Sequence, residues 1–216
     1  MDLSAILSWR PGRRHQSDDN RWVVVDVETS GLDPERDQLL AIAGIALRVD
    51  WATGRLEIHP GDSFEVVLRQ ASASPRANIL LHGIGAQKQR DGLAPDLAMQ
   101  AFAAFVGHSP LLAFHAAFDQ TLINRFSRAH LGGKLPNPWI DIEHLCAVTH
   151  SHQSARTLDD WMAVFGVSCA VRHQAVADTL AECEVLLRIW PRLVSECSNW
   201  HDMARVAARQ RWIARP

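Results

Sequence analysis

Two carboxylates stand two residues apart in "WVVVDVETSGLD", Trp22 to Asp33. Asp26 and Glu28 are at i and i+2, and in a strand such residues point to the same face. Like charges held that close repel, and each raises the other's pKa. A divalent cation relieves the repulsion, and hard carboxylate oxygens suit Mg²⁺ or Mn²⁺. The alternative is that the strand ends at Val25 and both acids are solvated turn residues. The D-x-E spacing alone leaves both readings open.

Two other places could complete such a site. Asp119 follows the apolar stretch "PLLAFHA" and falls in the first turn of a helix. An acid there also complements the helix dipole. His173 precedes Asp178 by five residues in "RHQAVADTLAEC". Asp178 opens a long helix, and His173 lies in the loop before it. An imidazole with an ordinary pKa of about 6.5 suits a general base, although a lone loop histidine is also a common surface residue. Strand ends and helix N-termini gather at one edge of an α/β sheet, where ligands bind.

The elements that must position these residues are legible in turn. Residues 22–27 form a strand by their β-branched density. "QLLAIAGIALRVD" is a second strand and "DSFEVVLR" a third, separated by the turns "TSGLDPERD" and "WATGRLE". The three suggest an antiparallel meander. "ASPRANILLHGIGAQ" is a connection with little regular signal. "APDLAMQAFAAFVG" is a helix with Pro95 and Asp96 in its first turn. "PLLAFHA" is a short strand, and the helix in "FDQTLINRFSRAHLGG" stops at Gly132 and Gly133. A strand in "NPWID" precedes a helix through "IEHLCAVTH". Thr157 is the expected N-cap of the helix "RTLDDWMAVFGV". "AVADTLAECEVLLRIW" is a long helix ended by Pro191, and the tail is one more helix with a basic face. Strands first, then alternation of strand and helix, imply one mixed-sheet α/β domain. The expected layout is an arm at 1–20, a domain at 21–190 and a helical tail at 191–216.

Composition narrows the class. The chain has 216 residues and is 47% apolar, enough for a sizeable core. Its 22 basic and 24 acidic residues leave a net charge of −2, so nucleic-acid contact needs a local basic patch. Arg10, Arg13 and Arg14, and Arg205, Arg209, Arg211 and Arg215 in the tail, could touch phosphates or form a solvated face. The four cysteines form no CxxC pair, which suits neither a zinc site nor a disulfide framework and points to a reducing compartment. No secretory signal or membrane-length apolar run is present, so the expectation is a soluble cytoplasmic protein that contacts no membrane. "HSH", His150 to His152, reads as a loop ahead of the metal-tract alternative.

D-x-E, then x-x-F-D after an apolar strand, then H-x-x-x-x-D opening a helix make a pattern. It resembles the DEDD exonucleases in their His-bearing subgroup, whose fold is ribonuclease H-like. That subgroup includes the exonuclease domain of the DNA polymerase III epsilon subunit, ribonuclease T and oligoribonuclease. The resemblance runs from about Trp22 to Leu187; "VVVDVETSGLD" is close to the first motif and "HQAVADTLAE" to the third. "LLHGI" and "RTLDDW" also sit where the family has a His-Gly loop and a helix start. The Tyr-bearing subgroup is excluded, because the chain has no tyrosine. One departure stands out. The second motif usually reads A-H-N-A-x-F-D, and here it is "AFHAAFD", with Phe114 and His115 at the His and Asn positions.

The resemblance implies a mixed β-sheet flanked by α-helices and a metal-dependent 3′–5′ exonuclease. It implies two divalent ions, Mg²⁺ or Mn²⁺, with Asp26 bridging them. Glu28 and Asp178 would complete the first ion's shell, Asp119 would act mainly through ordered water, and His173 would be the general base. Thr29, Leu32, His82 and His115 would meet the 3′ nucleotide of a single strand. A free-standing exonuclease acting on DNA or RNA is the leading expectation. A proofreading subunit with a polymerase partner is the alternative, disfavoured because such a subunit is expected to carry a long flexible polymerase-binding tail, whereas here about 26 residues follow Trp190 and read as a helix. A third is a module retained only for binding, which the intact acidic set argues against. Metal is expected to raise the melting temperature, less so in Asp26→Ala. Oligomeric state is left open by the sequence, although the apolar face of the tail, Trp200, Met203, Val206 and Ala207, could pack on a partner.

Overall fold

The computed structural model describes residues 20–213; the expected arm lies outside the described residues except for Asn20. A five-stranded mixed sheet forms the centre, ordered β3-β2-β1-β4-β5. Strand β1 (Arg21–Thr29) pairs antiparallel with β2 (Leu39–Asp50), which pairs antiparallel with β3 (Arg55–Val67). On its other side β1 runs parallel to β4 (Leu111–Ala113), and β4 to β5 (Trp139–Asp141). The antiparallel meander and the mixed sheet flanked by helices are as the sequence implies.

Among the described residues eight α-helices surround the sheet: α1 (Arg76–His82), α2 (Ala86–Arg90), α3 (Pro95–Val106), α4 (Ala116–Leu131), α5 (Ile142–Thr149), α6 (Leu158–Phe165), α7 (Ala175–Val194) and α8 (Trp200–Ala208). The period of two along β1 divides the core into two halves. Trp22 and Val24 face α5, α6 and α7, meeting Leu145, Trp161, Leu186 and Ile189. Val23, Val25 and Val27 face α3 and α4, meeting Met99, Phe102, Leu122 and Ile123. Both faces of β1 are therefore buried, which explains its unbroken valines. Asp26 and Glu28 continue the face of Trp22 and Val24, and both belong to the strand. This rejects the reading that the strand stops at Val25.

Three expectations change. Arg55–Glu57 belong to β3, and the turn shrinks to residues 51–54. The Asp50 carboxylate accepts the Ala52 and Thr53 N–H groups there, a side-chain turn that needs few residues. The connection through "LLHGI" contains α1 and α2, each too short to show an amphipathic period. Helix α7 does not end at Pro191 but runs to Val194. Proline removes one helical N–H donor, while Ile189, Trp190 and Leu193 are buried around it and hold the last turn in place.

The tail is also part of this core. Met203, Val206 and Ala207 are buried and Trp200 packs against the cluster, so the face that could have packed on a partner is covered by the chain itself. Trp22 is the hub: its ring centroid lies 5.7 Å from Trp51, 5.9 Å from Trp190 and 5.0 Å from Trp200. Trp190 Nε1–H donates to the Gly54 carbonyl at 2.8 Å, satisfying the polar end of a buried indole. Thr157 caps α6 in a reciprocal capping box with Asp160.

Candidate active site

The C-terminal end of β1, the turn after β4 and the N-terminus of α7 meet at one edge of the sheet. Ligand oxygens of Asp26, Glu28 and Asp178 lie within 4.8 Å of one another. Asp178 is buried in the first turn of α7, which crosses the same face of β1. Asp119 stands outside this trio. It is buried at the start of α4, and its carboxylate accepts the Val27 N–H and feels the Asp26 charge.

Crowding controls the protonation of these acids. Burial, then the neighbouring Asp178 charge, pushes Asp26 from 3.8 up to about 8, against the pull of Arg172 and the Val27 N–H. Burial, then Asp26 and Asp178, pushes Glu28 from 4.5 up to about 9. Burial, then Asp26, holds Asp119 well above the usual carboxylate range. Such a group of acids is held together at a cost that a cation would remove. The oxygen-only donor set fits a hard divalent ion such as Mg²⁺ or Mn²⁺, and not a thiolate–imidazole zinc site.

His173 is exposed in the loop before α7 and has positive φ, 62°. Its backbone N–H donates to Asp178 Oδ2 at 2.9 Å. That bond fixes the loop to the metal-ligand candidate, and the His173 side chain is exposed. The turn after β4 is built on His115, the N-cap of α4, in the left-handed region at φ 59°, ψ 46°. Asparagine and histidine tolerate that region better than most residues, which gives a backbone reason why His115 can replace the usual Asn. The N–H groups of Phe114 and His115 donate to Glu182 Oε2 at 3.2 Å and Asp141 Oδ1 at 3.1 Å.

The expected substrate residues divide. Leu32 is 92% exposed on the loop after β1, and His115 is exposed in the turn after β4. Thr29 is partly buried, and its hydroxyl donates to the Gly31 carbonyl. His82 corrects the expectation of a direct nucleotide contact. It is buried, Nδ1 accepts the Ile84 N–H at 2.9 Å, and Nε2 bonds Asn78 Oδ1 at 2.8 Å. Asn78 Nδ2 in turn donates to the Thr29 carbonyl at 2.9 Å. His82 therefore braces the end of β1 through Asn78, with both ring nitrogens engaged inside the protein.

Two site residues escaped the sequence reading. Glu182 is buried one turn beyond Asp178, and burial, then Asp26 and Asp119, holds its pKa well above the usual range. The i, i+4 spacing from Asp178 was a usable signal. Arg172 bonds Asp178 and Asp159, so one of the clustered carboxylates is already paired with a cation. Its position beside His173 was its only sequence cue.

The exonuclease family model, RNase T type, matches residues 23–186. The chain is 29% identical over 177 residues to a DNA polymerase III subunit epsilon-like protein of Rhodobacter capsulatus, covering 80% of this chain and 24% of that protein. It is 28% identical over 188 residues to a PolC-type DNA polymerase III of Clostridium perfringens, covering 87% of this chain and 12% of that protein. The chain thus spans only a minor part of these relatives. In fold it is similar to E. coli exonuclease I in complex with a dT13 oligonucleotide, with TM-score 0.66 and 17% identity over 85% of this chain and 45% of that one. Cell-death related nuclease 4 superposes with TM-score 0.67 and 14% identity over 80% of this chain and 64% of that one. With motifs, fold and family model in agreement, the chain belongs to the exonuclease family.

Proposed function

We propose that this chain hydrolyses the terminal phosphodiester bond at the 3′ end of single-stranded nucleic acid, with DNA favoured, and releases nucleoside 5′-monophosphates. The observation that carries the reading is the convergence of Asp26, Glu28 and Asp178 within 4.8 Å, beside Asp119 and the exposed His173. Asp26, Glu28, Asp119 and Asp178 would hold two divalent ions. When bound, such ions make water more acidic and stabilise charge on the leaving oxygen. His173 takes a proton from the attacking water, whose oxygen bonds to phosphorus as the bond to the 3′-oxygen breaks. The released 3′-oxygen takes up a proton from solvent. Thr29, Leu32 and His115 line the approach of the last nucleotide, and the His82–Asn78 brace keeps Thr29 in place. The relatives' names favour DNA over RNA, and they make a polymerase partner the alternative setting for the same chemistry.

A gel assay with Mn²⁺ and end-labelled single-stranded DNA, duplex DNA and short RNA tests the reading. The expected result is stepwise shortening from the 3′ end of single strands, lost in Asp26→Ala and strongly reduced in His173→Ala. Laddering from the 5′ end, or activity that survives Asp26→Ala, overturns it.

A further inference from the structure

The proposed chemistry leaves Arg172 without a role, yet Arg172 reaches into the acidic group. Its Nε–H donates to Asp159 Oδ1 at 2.6 Å, and Nη1–H donates to Asp178 Oδ1. The guanidinium side chain is 26% exposed, while Asp178 is 8% and Asp159 63% exposed. It therefore bridges an outer acid on α6 and an inner acid of the candidate metal site. Asp159 lies in the first turn of α6, a turn fixed by the Thr157–Asp160 capping box. Both oxygens of Asp178 are occupied: Oδ1 by Arg172 and Oδ2 by the His173 N–H.

We propose that Arg172 is a tethered counter-cation that competes with a divalent ion for Asp178 and so sets the metal affinity of the centre. The inference rests on the reading that Asp26, Glu28 and Asp178 bind metal. Arg172 is the basic residue whose charge offsets both Asp26 and Glu28, so it supplies locally the charge that a cation would bring. An ion that takes Asp178 Oδ1 must displace Nη1. The planar guanidinium donates in two directions at once, so the Asp159 contact keeps it at the rim after Asp178 is surrendered. Two effects then oppose metal: loss of the Arg172–Asp178 contact and repulsion between the ion and the guanidinium. Removing the side chain should relieve both. A loop staple without this competition would act with the opposite sign, because losing it would loosen Asp178 and weaken binding.

The test is calorimetric titration of Mn²⁺ into the whole chain, without substrate, beside thermal scans with and without Mn²⁺. Arg172→Gln is expected to bind Mn²⁺ about tenfold more tightly than the native chain, the scale of one charge-assisted contact. Its metal-free melting temperature is expected to fall, with most of the loss recovered at saturating Mn²⁺. Arg172→Lys keeps a charge but not the planar fork, and is expected to lie between the two; it carries the test should Arg172→Gln not fold. Equal or weaker Mn²⁺ binding by the variants overturns the inference while leaving the metal site standing. Failure of both native and variant chains to bind Mn²⁺ overturns the metal reading itself, and the inference with it.

Discussion

The raised carboxylates make metal binding a proton-release reaction, and the size of the effect follows from the site. Near pH 7, Asp26, at about 8, and Glu28, at about 9, hold their protons. An ion that takes both oxygens must expel up to about two protons, so affinity should rise up to about 100-fold per pH unit on the way to pH 8. Each proton corresponds to about 1.4 kcal/mol per pH unit. The sign for the metal-free chain is the reverse. Unfolded, these acids ionise near 3.8 and 4.5, so between there and 8 to 9 the folded state binds the extra protons. Their contribution to stability is full below the unfolded values and is lost as pH rises through the folded ones. Thermal scans with and without Mg²⁺ at about pH 6, 7 and 8 should show a stabilisation that widens with pH. Calorimetry in buffers of different ionisation enthalpy should report the released protons, and Glu28→Gln should reduce their number by about one. An equal Mg²⁺ effect at the acidic and basic ends, with no proton release, would refute the reasoning.

Other expectations are independent of metal. Trp22→Ala empties the centre of the tryptophan cluster and should cost about 3–5 kcal/mol in urea unfolding; a loss near zero would mean that the core closes over the gap. His115→Asn keeps the left-handed turn with a residue well suited to it, and should raise stability by up to about 1 kcal/mol; destabilisation would show that the imidazole makes a needed contact. His150 sits among Trp161, Phe165 and His152. Burial first, then Arg192 and His152, lowers its pKa from 6.5 to about 4. The unfolded chain therefore binds the extra proton in that window, and stability contributed by neutral His150 is lost as pH falls from about 6.5 toward 4. The difference in urea midpoint between the native chain and His150→Gln should shrink toward acid pH, and a constant difference would count against the assignment.

The spacing of Asp26 and Glu28, the helix starts at Asp119 and Asp178 and the loop at His173 were all legible, because strand and helix periods fix where such residues point. The antiparallel meander of the first three strands also followed from alternation and turn chemistry. Arg172 was not legible, since its partner Asp159 lies 13 residues away on another helix and no local period links them. His82 was misjudged because a loop histidine looks the same in sequence whether it faces solvent or braces a backbone. The fate of the α8 face turned on Trp22, which is remote from it in sequence and packs on Trp200. Pro191 looked like a helix end because the local rule is strong, and only burial on either side of it shows why the helix continues.

The tryptophan cluster has an optical consequence. The chain has no tyrosine and eight tryptophans, so its near-ultraviolet absorbance and intrinsic emission come mainly from indoles, and four of those rings form one cluster around Trp22. Rings this close couple electronically and pass excitation among themselves. Because β1, the β2–β3 turn, α7 and α8 each contribute one ring, the full coupled circular-dichroism signal requires all four segments to be docked, and the Trp22–Trp200 part of it requires α8. The protein thus carries a built-in spectroscopic reporter at the foot of the strand that holds Asp26 and Glu28, and separation of α8 would be visible without any label.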